Sequence, residues 1–518
     1  MSSIMKEDKN ESNKVDTGEQ QIKPFSMIPG PWPSLPFIGT GWYNLYCSLI
    51  GRYDLNKLHE IYIEKYRTYG PIFREEYQRH RPIVHIFDPA DFETVFKYQG
   101  RCPIRPPSEF VSCFRRSRPD RYPNVGLANL NGDEWLDQRN KLAPAIMKLS
   151  TINENMLNQN EICNDFIEYL SNIKDPVTNV VDNIQEATYR LALESICMLC
   201  LDTRIGAFQT TTTTKQQQQL PETTPSDAEI LIESTKLLFD TFNKLYYGYP
   251  WWKLMKTSVY SDLERAESMI YDVASKHVQK AIDDQLNEIS DRQTVLQTLL
   301  KTEQLSNEEI KLTIIDFIIG GIFTVSNTFA YLFYHLASNQ PVQDKLYTEI
   351  QSVKDDNAFT DDFTPKHLAK MPYLKACVQE CFRLNCPVPG IMRITIKPTI
   401  LSGYEIPANT IVFSHLMATC RLPDYFQNPD QFLPERWLDP IEKSTIHPFS
   451  LLPFGYGNRM CLGKRFSESE LYLSLARLIQ AFQLNLIDSH EQQQQQLELK
   501  HAFIVIPAHP ISLQLTPR

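Results

Sequence analysis

The run PFGYGNRMCLGKRFSESE, Pro453–Glu470, is the most informative stretch of this 518-residue chain. Within it Cys461 follows Phe454 and Arg459, and a segment with helical periodicity begins just behind the cysteine. Glycines allow a backbone to bend closely around a bulky group, and the run contains Gly455, Gly457 and Gly463. Backbone N–H groups at the start of a helix stabilise a thiolate and lower its pKa. The pattern predicts that Cys461 is an anionic sulfur ligand facing a flat cofactor.

A long helix is predicted upstream of this loop. Ser306 and Glu309 form a capping box, and apolar residues continue to about Ala337. About thirty residues at 1.5 Å each give a helix of roughly 45 Å. Its middle is apolar on nearly all faces, which predicts burial. Gly320 and Gly321 in that middle indicate either that a large group approaches the backbone or that two helices pack closely.

The remaining pattern predicts a mainly α fold with small β-sheets, an α+β class. Helical periodicity covers most segments, with 226–247 and 258–285 as examples. Short β-rich pieces are Ile83–Phe87, Thr410–Phe413 and His501–Pro507. Because Ile511–Leu515 follows the last piece with a proline between them, we expect a terminal hairpin there.

Composition excludes several classes of protein. With 42% apolar and 22% charged residues the chain is not disordered as a whole, and a net charge of −10 argues against a general nucleic-acid binder. The eleven cysteines lack the dense spacing of a disulfide scaffold, so we expect free thiols and a reducing compartment. Cys197 and Cys200 are expected to be buried helical cysteines rather than half of a zinc site.

The chain is predicted to form one catalytic domain over residues 24–518. Residues 1–23 are polar and are expected to be disordered. The biased segments 210–225 and 492–496 are rich in threonine and glutamine, and we interpret them as surface insertions of low complexity. No run reaches the roughly 18 uninterrupted apolar residues of a membrane-spanning helix.

The ordered set F-G-x-G-x-R-x-C-x-G resembles the haem-binding loop of the cytochrome P450 superfamily, and the resemblance runs from about Pro29 to the terminal strands. It implies the P450 fold, with haem b (iron protoporphyrin IX) buried between the long central helix and the loop whose Cys461 thiolate ligates the iron. It also implies a buried charged network between the E-x-x-R pair Glu380 and Arg383 and the PERW residue Arg436.

The resemblance assigns further contacts to the haem. The residues expected to hold its propionates are Trp135, Arg139, Arg393 and Arg459. The other residues expected to contact it are Gly321, Phe454 and Gly463. Planar guanidinium groups match carboxylates well, so arginine suits this role.

The function implied is a monooxygenase that inserts one oxygen atom of O2 into a small lipophilic substrate of the sterol, secosteroid or xenobiotic class. An axial thiolate favours O–O cleavage. Thr324 matches the family's oxygen-site threonine, but Phe323 stands where the family usually has an acid, and a phenyl ring cannot relay a proton. Two alternatives therefore stay open. One is a haem-thiolate isomerase or dehydratase that converts a peroxide-type substrate without an electron donor, and the other is a non-catalytic haem binder or sensor.

Several runs resemble the animal mitochondrial branch, which implies a small acidic ferredoxin as electron donor, with a diflavin reductase as the alternative. The basic positions that match its docking patch are Lys375, Lys464 and Arg465, whereas Gln379 replaces an expected lysine. The branch implies the matrix side of the mitochondrial inner membrane. The acid-containing N-terminal segment is atypical of an import signal, so the endoplasmic reticulum and cytosol stay as alternatives.

Two further segments of the sequence concern the surface of the protein. The aromatic run YYGYPWWKL, Tyr246–Leu254, is compatible with peripheral membrane contact or with packing in the protein. A basic cluster lies in the region that covers the substrate pocket in the resembling family, and we expect its members to face solvent; they are Arg115, Arg116, Arg118 and Arg121.

Overall fold

The computed structural model describes residues 22–36, 38–78, 81–209, 225–287, 294–302, 304–354, 362–487 and 497–518. The predicted disordered segment 1–23 and the low-complexity segments 210–225 and 492–496 lie almost entirely outside the described residues. Their interpretation, and the single-domain assignment of 24–518, stay predictions.

Helices dominate the described chain, and small sheets lie among them. The helices are α1 (Gly41–Leu49), α2 (Leu58–Tyr69), α3 (Pro89–Lys97), α4 (Glu109–Ser117), α5 (Gly132–Ile146), α6 (Leu149–Ile173), α7 (Ile184–Leu201), α8 (Asp227–Tyr247), α9 (Ser258–Asn287), α10 (Val295–Lys301), α11 (Asn307–Ser338), α12 (Gln340–Lys354), α13 (Pro365–Ala369), α14 (Pro372–Leu384), α15 (Leu416–Thr419), α16 (Pro440–Thr445) and α17 (Lys464–Ala481). The strands are β1 (Ile72–Gln78), β2 (Arg81–Ile86), β3 (Val180–Val181), β4 (Ile391–Ile394), β5 (Thr399–Leu401), β6 (Tyr404–Ile406), β7 (Ile411–Ser414), β8 (Phe482–Leu486), β9 (Leu499–Ala502), β10 (Ile504–Pro507) and β11 (Leu513–Pro517). The predicted α+β class is confirmed.

The long helix α11 organises the core. Its capping box is formed as predicted, because Glu309 N donates to Ser306 Oγ and Ser306 N donates to the Glu309 carboxylate. The half from Ile310 to Phe323 packs in one large apolar cluster, and the half from Val325 to Ala337 packs in another. Among the described helices, α11 is the one that is long and apolar enough to cross a membrane. However, 72% of its most apolar 18-residue window is buried inside the protein. It is a core helix, and Thr324 lies at the junction of its two halves.

The sheets partly differ from the prediction. β2 pairs in parallel with β7, and β1 and β4 pair antiparallel at the edges, which confirms the first two predicted strands. The predicted terminal hairpin is wrong. Phe503 adopts a left-handed φ of 65°, which ends β9 and reverses the chain into β10. β11 pairs instead with β3 and β8, where it buries Leu513 and Leu515.

All eleven cysteines are free. Cys197 and Cys200 are both buried in α7, as expected, and burial raises the pKa of the Cys200 thiol to about 12. No cluster of His, Cys, Asp and Glu suited to a metal ion occurs among the described residues. The C-x-x-C pair therefore packs as part of the core.

The stability of the fold is expected to fall on acidification through buried histidines such as His335. Its Nε2 lies 2.6 Å from Asn385 Oδ1, its ring stacks on Phe432, and burial lowers its pKa from 6.5 to about 4. Between these two pH values the unfolded chain binds a proton that the folded chain does not, so stability is full above pH 6.5 and is lost as the pH falls towards 4. We expect His335→Gln to remove about 2 kcal/mol of the loss between pH 7 and pH 5, as measured by urea unfolding. The exposed His509→Gln is the control, and equal slopes in both variants would contradict the assignment.

Candidate active site

A large cavity lies between α11 and the loop that precedes α17. It has two connected parts of about 380 Å³ and about 420 Å³, and both are lined by Thr324, Arg459 and Cys461. Every residue predicted to contact a haem lines one of the two parts. Besides Arg459 and Cys461, these residues are Trp135, Arg139, Gly321, Arg393, Phe454 and Gly463. The structure thus brings together side chains spread over more than 300 positions of sequence.

The cysteine loop is held in shape by its own backbone. Cys461 N donates to the Phe454 carbonyl at 2.8 Å, and the Phe454 ring packs edge-on against Phe382 of α14. Gly455 and Gly457 have φ of 74° and 71°, a region that side chains disfavour, so glycine is required at both. Gly463 has an ordinary φ of −79°, and a Cβ there would lie 3.8 Å from Cys461 Sγ, so its predicted role in the close approach of a bulky group stays a prediction.

The surroundings of Cys461 act on its thiol in two directions. The cysteine is exposed to the cavity, and desolvation by the protein that encloses the cavity raises the pKa of the thiol. The backbone N–H groups of Gly463 and Lys464, as predicted, and the Arg139 guanidinium oppose this by stabilising the thiolate. The protein thus supplies part of the stabilisation and leaves the rest to a bound cation, since a coordinating thiol is deprotonated by the metal itself.

Four arginines with no carboxylate partner among the described residues line the cavity. They are Arg105, Arg139, Arg393 and Arg459. Burial, followed by the neighbouring Arg105, lowers the pKa of Arg393 to about 10. Burial, together with the other three guanidinium groups, lowers the pKa of Arg459 to about 9. This wall of like charges calls for an anionic ligand, and two carboxylates on a buried flat group would satisfy it.

The arginine wall is anchored to α5 and its preceding loop. Arg459 Nη1 donates to the Pro103 carbonyl at 2.8 Å and to Asn131 Oδ1 at 2.6 Å. Its guanidinium lies 4.8 Å from the centroid of the buried Trp135 ring, a cation–π distance. These contacts hold the Arg459 guanidinium in the wall of the cavity that Cys461 also lines. The residues present therefore fit a haem, with Cys461 as thiolate ligand and the arginines as partners of its carboxylates.

The two glycines of α11 serve different purposes. A Cβ on Gly321 would lie 3.1 Å from Ile196 of α7, so this glycine permits close helix packing. A Cβ on Gly320 would meet nothing within 4 Å, because this residue opens onto the cavity. Thr324 Oγ1 donates to the Gly320 carbonyl at 2.8 Å and so faces the same space. Of the two sequence-based explanations, close packing applies to Gly321 and open space to Gly320.

Phe323 is not among the residues that line the cavity. Its ring is buried and stacks on Phe239 of α8 at a centroid distance of 4.3 Å. It also stacks on Tyr189 of α7, at a centroid distance of 5.8 Å. Asn327 Nδ2 donates to the Phe323 carbonyl at 2.7 Å and to the Tyr189 hydroxyl at 3.2 Å. The position where the resembling family has an acid thus joins three helices by aromatic packing.

The predicted charged network is present behind the cysteine loop. The Glu380 carboxylate accepts two hydrogen bonds of 2.9 Å from Arg383 and one of 3.1 Å from Arg436 Nε. Trp437 Nε1 and Leu433 N also donate to it, at 2.9 and 3.0 Å. Arg436 Nη1 also donates to the Glu442 carboxylate at 3.0 Å. Further donors of the two arginines bind backbone carbonyls of the segment that leads towards the loop, namely those of Cys420, Gln427, Pro429 and Gln431.

The predicted docking residues lie outside the cavity. Lys464 and Arg465 begin α17, immediately after the cysteine loop, and Arg465 Nη1 donates to the Met147 carbonyl at the end of α5. Lys375 lies in the first turn of α14, where its Nζ contacts the Ala369 carbonyl at 3.4 Å. Gln379 is half-buried one turn further along the same helix.

Sequence reasoning missed or misplaced some residues of the site. Arg105 and Phe503 both line the cavity, and no spacing distinguishes either from other residues of its type. The expectation that the basic cluster faces solvent is wrong for Arg115, which is 4% exposed and also lines the cavity, whereas Arg116 is exposed. Arg115 is buried because α9 and α11 supply carboxylates to it, which a local charge pattern does not reveal.

Comparison with known proteins agrees with this geometry. A sequence profile described as Cytochrome P450 matches residues 29–515. The chain is 34% identical over 502 residues to Ecdysone 20-monooxygenase of Drosophila melanogaster, covering 95% of this chain and 88% of that protein. It is 30% identical over 509 residues to Cytochrome P450 302a1, mitochondrial, of the same fly, covering 96% of each. It is 29% identical over 500 residues to 1,25-dihydroxyvitamin D(3) 24-hydroxylase, mitochondrial, of Mus musculus, covering 95% of this chain and 89% of that protein.

The names of these relatives include monooxygenases and hydroxylases, and several carry the word mitochondrial. The predicted resemblance to the mitochondrial branch is confirmed. The chain belongs to the cytochrome P450 family of oxidoreductase enzymes.

Proposed function

We propose that this protein is a haem-thiolate monooxygenase that oxygenates a steroid-sized lipophile in mitochondria. The observation that carries the proposal is the cavity in which Cys461 and a wall of unpaired arginines face Thr324 of α11. Cys461 would ligate the iron of haem b, and Arg139, Arg393 and Arg459 would hold its carboxylates. When bound, the haem supplies the activation of O2.

The chain's own residues define the substrate. Beyond the arginines, the part of the cavity enclosed by α7, α8 and α11 is lined mostly by apolar side chains, including Ile196, Leu238, Phe239 and Phe242. Such a surface binds rigid apolar molecules and excludes water. The names of two relatives, Ecdysone 20-monooxygenase and 1,25-dihydroxyvitamin D(3) 24-hydroxylase, support steroids and secosteroids as the substrate class.

Proton delivery depends on Thr324. Because Oγ1 gives its hydrogen to the Gly320 carbonyl, its oxygen lone pairs are free to accept a hydrogen bond from water in the cavity. Phe323, tied up in its aromatic stack, contributes no titratable group. The hydroxyl of Thr324 would hold an ordered water where the family commonly uses an acid.

The electron donor proposed is a mitochondrial ferredoxin. Lys464 and Arg465 directly follow the cysteine loop, so a negatively charged partner attracted to them would approach the Cys461 side of the cavity. Relatives named as mitochondrial support the mitochondrion as the compartment. The matrix side of the inner membrane is the part of the proposal that rests on the resemblance to the mitochondrial branch.

The proposal is tested by reducing the ferric protein under carbon monoxide with a mitochondrial ferredoxin system or with a microsomal diflavin reductase, using dithionite as chemical control. We expect rapid reduction by ferredoxin and a thiolate-type spectrum. At low salt Lys375→Glu is expected to slow the ferredoxin reaction about tenfold, because it reverses a charge in the docking patch. The matched control is Lys276→Glu on α9, where the lysine side chain is 71% exposed.

The outcomes separate the candidate functions. Reduction by the diflavin enzyme alone would overturn the choice of partner. Reduction by dithionite alone, together with turnover of a lipid hydroperoxide without reductant, would favour the isomerase or dehydratase that the missing acid at Phe323 suggests. A thiolate spectrum without turnover of either kind would favour a haem binder or sensor.

Peripheral membrane contact is a separate part of the proposal. Trp252 packs inward against Tyr260, but Trp251 and Leu254 are exposed at 60% and 79%. Tyr249 approaches Gly41 at the start of α1, whose own exposed apolar residues extend this surface; they are Leu45, Tyr46 and Leu49. Together these side chains form an apolar patch of the kind that rests on a lipid surface.

The patch predicts the partition of the protein onto membranes. Replacing Trp251 and Leu254 together by alanine is expected to lower binding to vesicles of inner-membrane lipids about tenfold or more, because two large apolar side chains no longer leave water. Co-sedimentation measures the effect. Ile441→Ala, at an equally exposed apolar residue on α16, is the control and should leave binding unchanged; equal losses would assign binding to general surface hydrophobicity.

A further inference from the structure

A buried ionic cluster, separate from the four arginines without a carboxylate partner, also lines the cavity. Arg115 of α4 lies between Glu267 of α9 and Asp316 of α11, and all three line the cavity. Arg115 Nη2 lies 3.2 Å from Glu267 Oε2 and 2.8 Å from Asp316 Oδ1. One guanidinium therefore faces two carboxyl groups.

Hydrogen bonding leaves the cluster with free acceptors and no free donors. Arg115 donates to both carboxylates and to the Val125 carbonyl, so its N–H groups are already committed. Among the described residues Arg115 alone donates to the Asp316 carboxylate, which has room for about four hydrogen bonds. The side chain of Asp316 is 24% exposed, against 2% for Glu267. Asp316 is therefore the carboxylate that a ligand in the cavity meets.

The backbone nearby is shaped around this arrangement. Gly126 has φ of 82°, and a Cβ there would lie 2.3 Å from Asp316 Oδ2 and 2.5 Å from Arg115 Nη1. Any side chain at Gly126 would displace the ion pair. The loop at Gly126 thus leaves room for Asp316 and Arg115 to form their ion pair. An arginine that pointed into solvent would not require a glycine at this position.

The distance to the reacting end of the cavity follows from the helix. Asp316 and Thr324 are eight residues apart on α11, which corresponds to about 12 Å along the helix axis. A rigid lipophile with one end at Thr324 therefore reaches the carboxylate with its other end if it has the length of a fused-ring system. An acceptor-only group at that end binds an alcohol, which can donate, and repels a ketone, which cannot.

We propose that Asp316 is a specificity-determining residue, positioned by Arg115, that binds a hydroxyl group at the end of the substrate remote from the oxidised carbon. The inference rests on the proposed monooxygenase function and adds a chemical requirement to its substrate class. Substrates are lipophiles with an alcohol, not a ketone, at that remote end.

The test compares two sterols that differ in this group alone, cholestanol and cholestanone. Equilibrium dialysis against the haem-loaded protein measures the dissociation constant of each. We expect cholestanol to bind about tenfold or more tightly, as is typical of one hydrogen bond to a charged group. Asp316→Asn is expected to reduce this ratio to about one, because an amide both donates and accepts.

Two further variants keep the test decisive. Asp272→Asn removes an exposed carboxylate of α9 that pairs with Arg121, and it should leave the ratio unchanged. Arg115→Lys keeps the charge but cannot bridge both carboxylates, so it should lower the ratio and raise the KM for the alcohol without a matching change in kcat. If Asp316→Asn does not fold, Arg115→Lys still shows whether the cluster controls the ratio of the two dissociation constants.

Equal affinities in the unmodified protein, binding of neither sterol, or a ratio that survives in both Asp316→Asn and Arg115→Lys would overturn the inference. Its failure is distinct from that of the proposed function. Reductant-dependent oxygenation of a lipophile without alcohol preference would refute the role of Asp316 alone. Alcohol preference without any oxygenation would refute the monooxygenase and leave the binding role intact.

Discussion

Cys461→Ala is expected to abolish the thiolate-type carbon monoxide spectrum of the reduced protein and all reductant-dependent turnover. The Cys461 sulfur receives the backbone N–H groups of Gly463 and Lys464, and the Arg139 guanidinium favours its thiolate form. Cysteine is the side chain that supplies an anionic sulfur ligand. Of the two described cysteines that line the cavity, Cys386 and Cys461, Cys461 is the one that lines both of its parts. The loss should therefore be complete rather than graded.

The matched control is Cys386→Ala. Cys386 lines the same cavity, but burial raises the pKa of its thiol to about 12 and is opposed there by one backbone N–H group, that of Val388. Two backbone N–H groups and the Arg139 guanidinium act on the Cys461 sulfur, so Cys386 is the less suited of the two to act as a thiolate. The control should keep the spectrum. Haem content, measured separately, distinguishes loss of the ligand from loss of the cofactor. A thiolate spectrum that survives in Cys461→Ala and disappears in Cys386→Ala would show that the ligand is misassigned.

Glu380→Gln is expected to destabilise the folded protein by about 3–5 kcal/mol, because it leaves the buried guanidinium group of Arg383 without a counter-charge and that of Arg436 with Glu442 as its remaining carboxylate partner. The side chains of Glu380 and Arg383 are both 0% exposed, and that of Arg436 is 1% exposed, so water cannot replace the carboxylate. We expect little soluble protein, and a weakened cysteine loop in whatever folds. The measurement is urea unfolding, followed alongside the fraction of protein that gives a carbon monoxide spectrum.

Glu435→Gln supplies the comparison within the same PERW motif. Glu435 pairs with Lys345 at 2.6 Å and accepts from the Tyr373 hydroxyl, but its side chain is 43% exposed. Surface pairs of this kind contribute about 0–1 kcal/mol. If Glu380→Gln and Glu435→Gln caused the same small loss of stability, the buried network would not be what holds the segment behind the cysteine loop in place.

The features predictable from sequence were those encoded locally. The capping box of Ser306 and Glu309 acts within one turn, and the turns at Gly455 and Gly457 need no distant partner. The Glu380 network is different, because Arg436 lies 56 residues from Glu380 and an E-x-x-R pair alone is common on helix surfaces. The network could be anticipated only from the resemblance to the P450 family, in which the pair precedes the PERW motif and the cysteine loop.

The features that escaped prediction depend on distant partners. Arg115 is buried because two helices more than 150 residues away bring carboxylates to it. The orientation of Phe323 is set by Phe239 and Tyr189, which lie on other helices. The pKa of Cys461 was expected to fall because the amides are local, whereas the opposing burial results from the whole fold.

If the cavity holds haem as proposed, the arginines that line it would couple folding to the supply of the cofactor. Arg393 and Arg459 lose hydration on folding, and Arg105 adds to the repulsion that each of them experiences, so an anion bound between them would stabilise the folded chain. A ligand that binds only the folded chain stabilises it in proportion to the logarithm of its concentration, by about 2.7 kcal/mol at one hundred times Kd. The amount of mature enzyme in a cell would therefore follow the rate of porphyrin synthesis as well as the rate of translation.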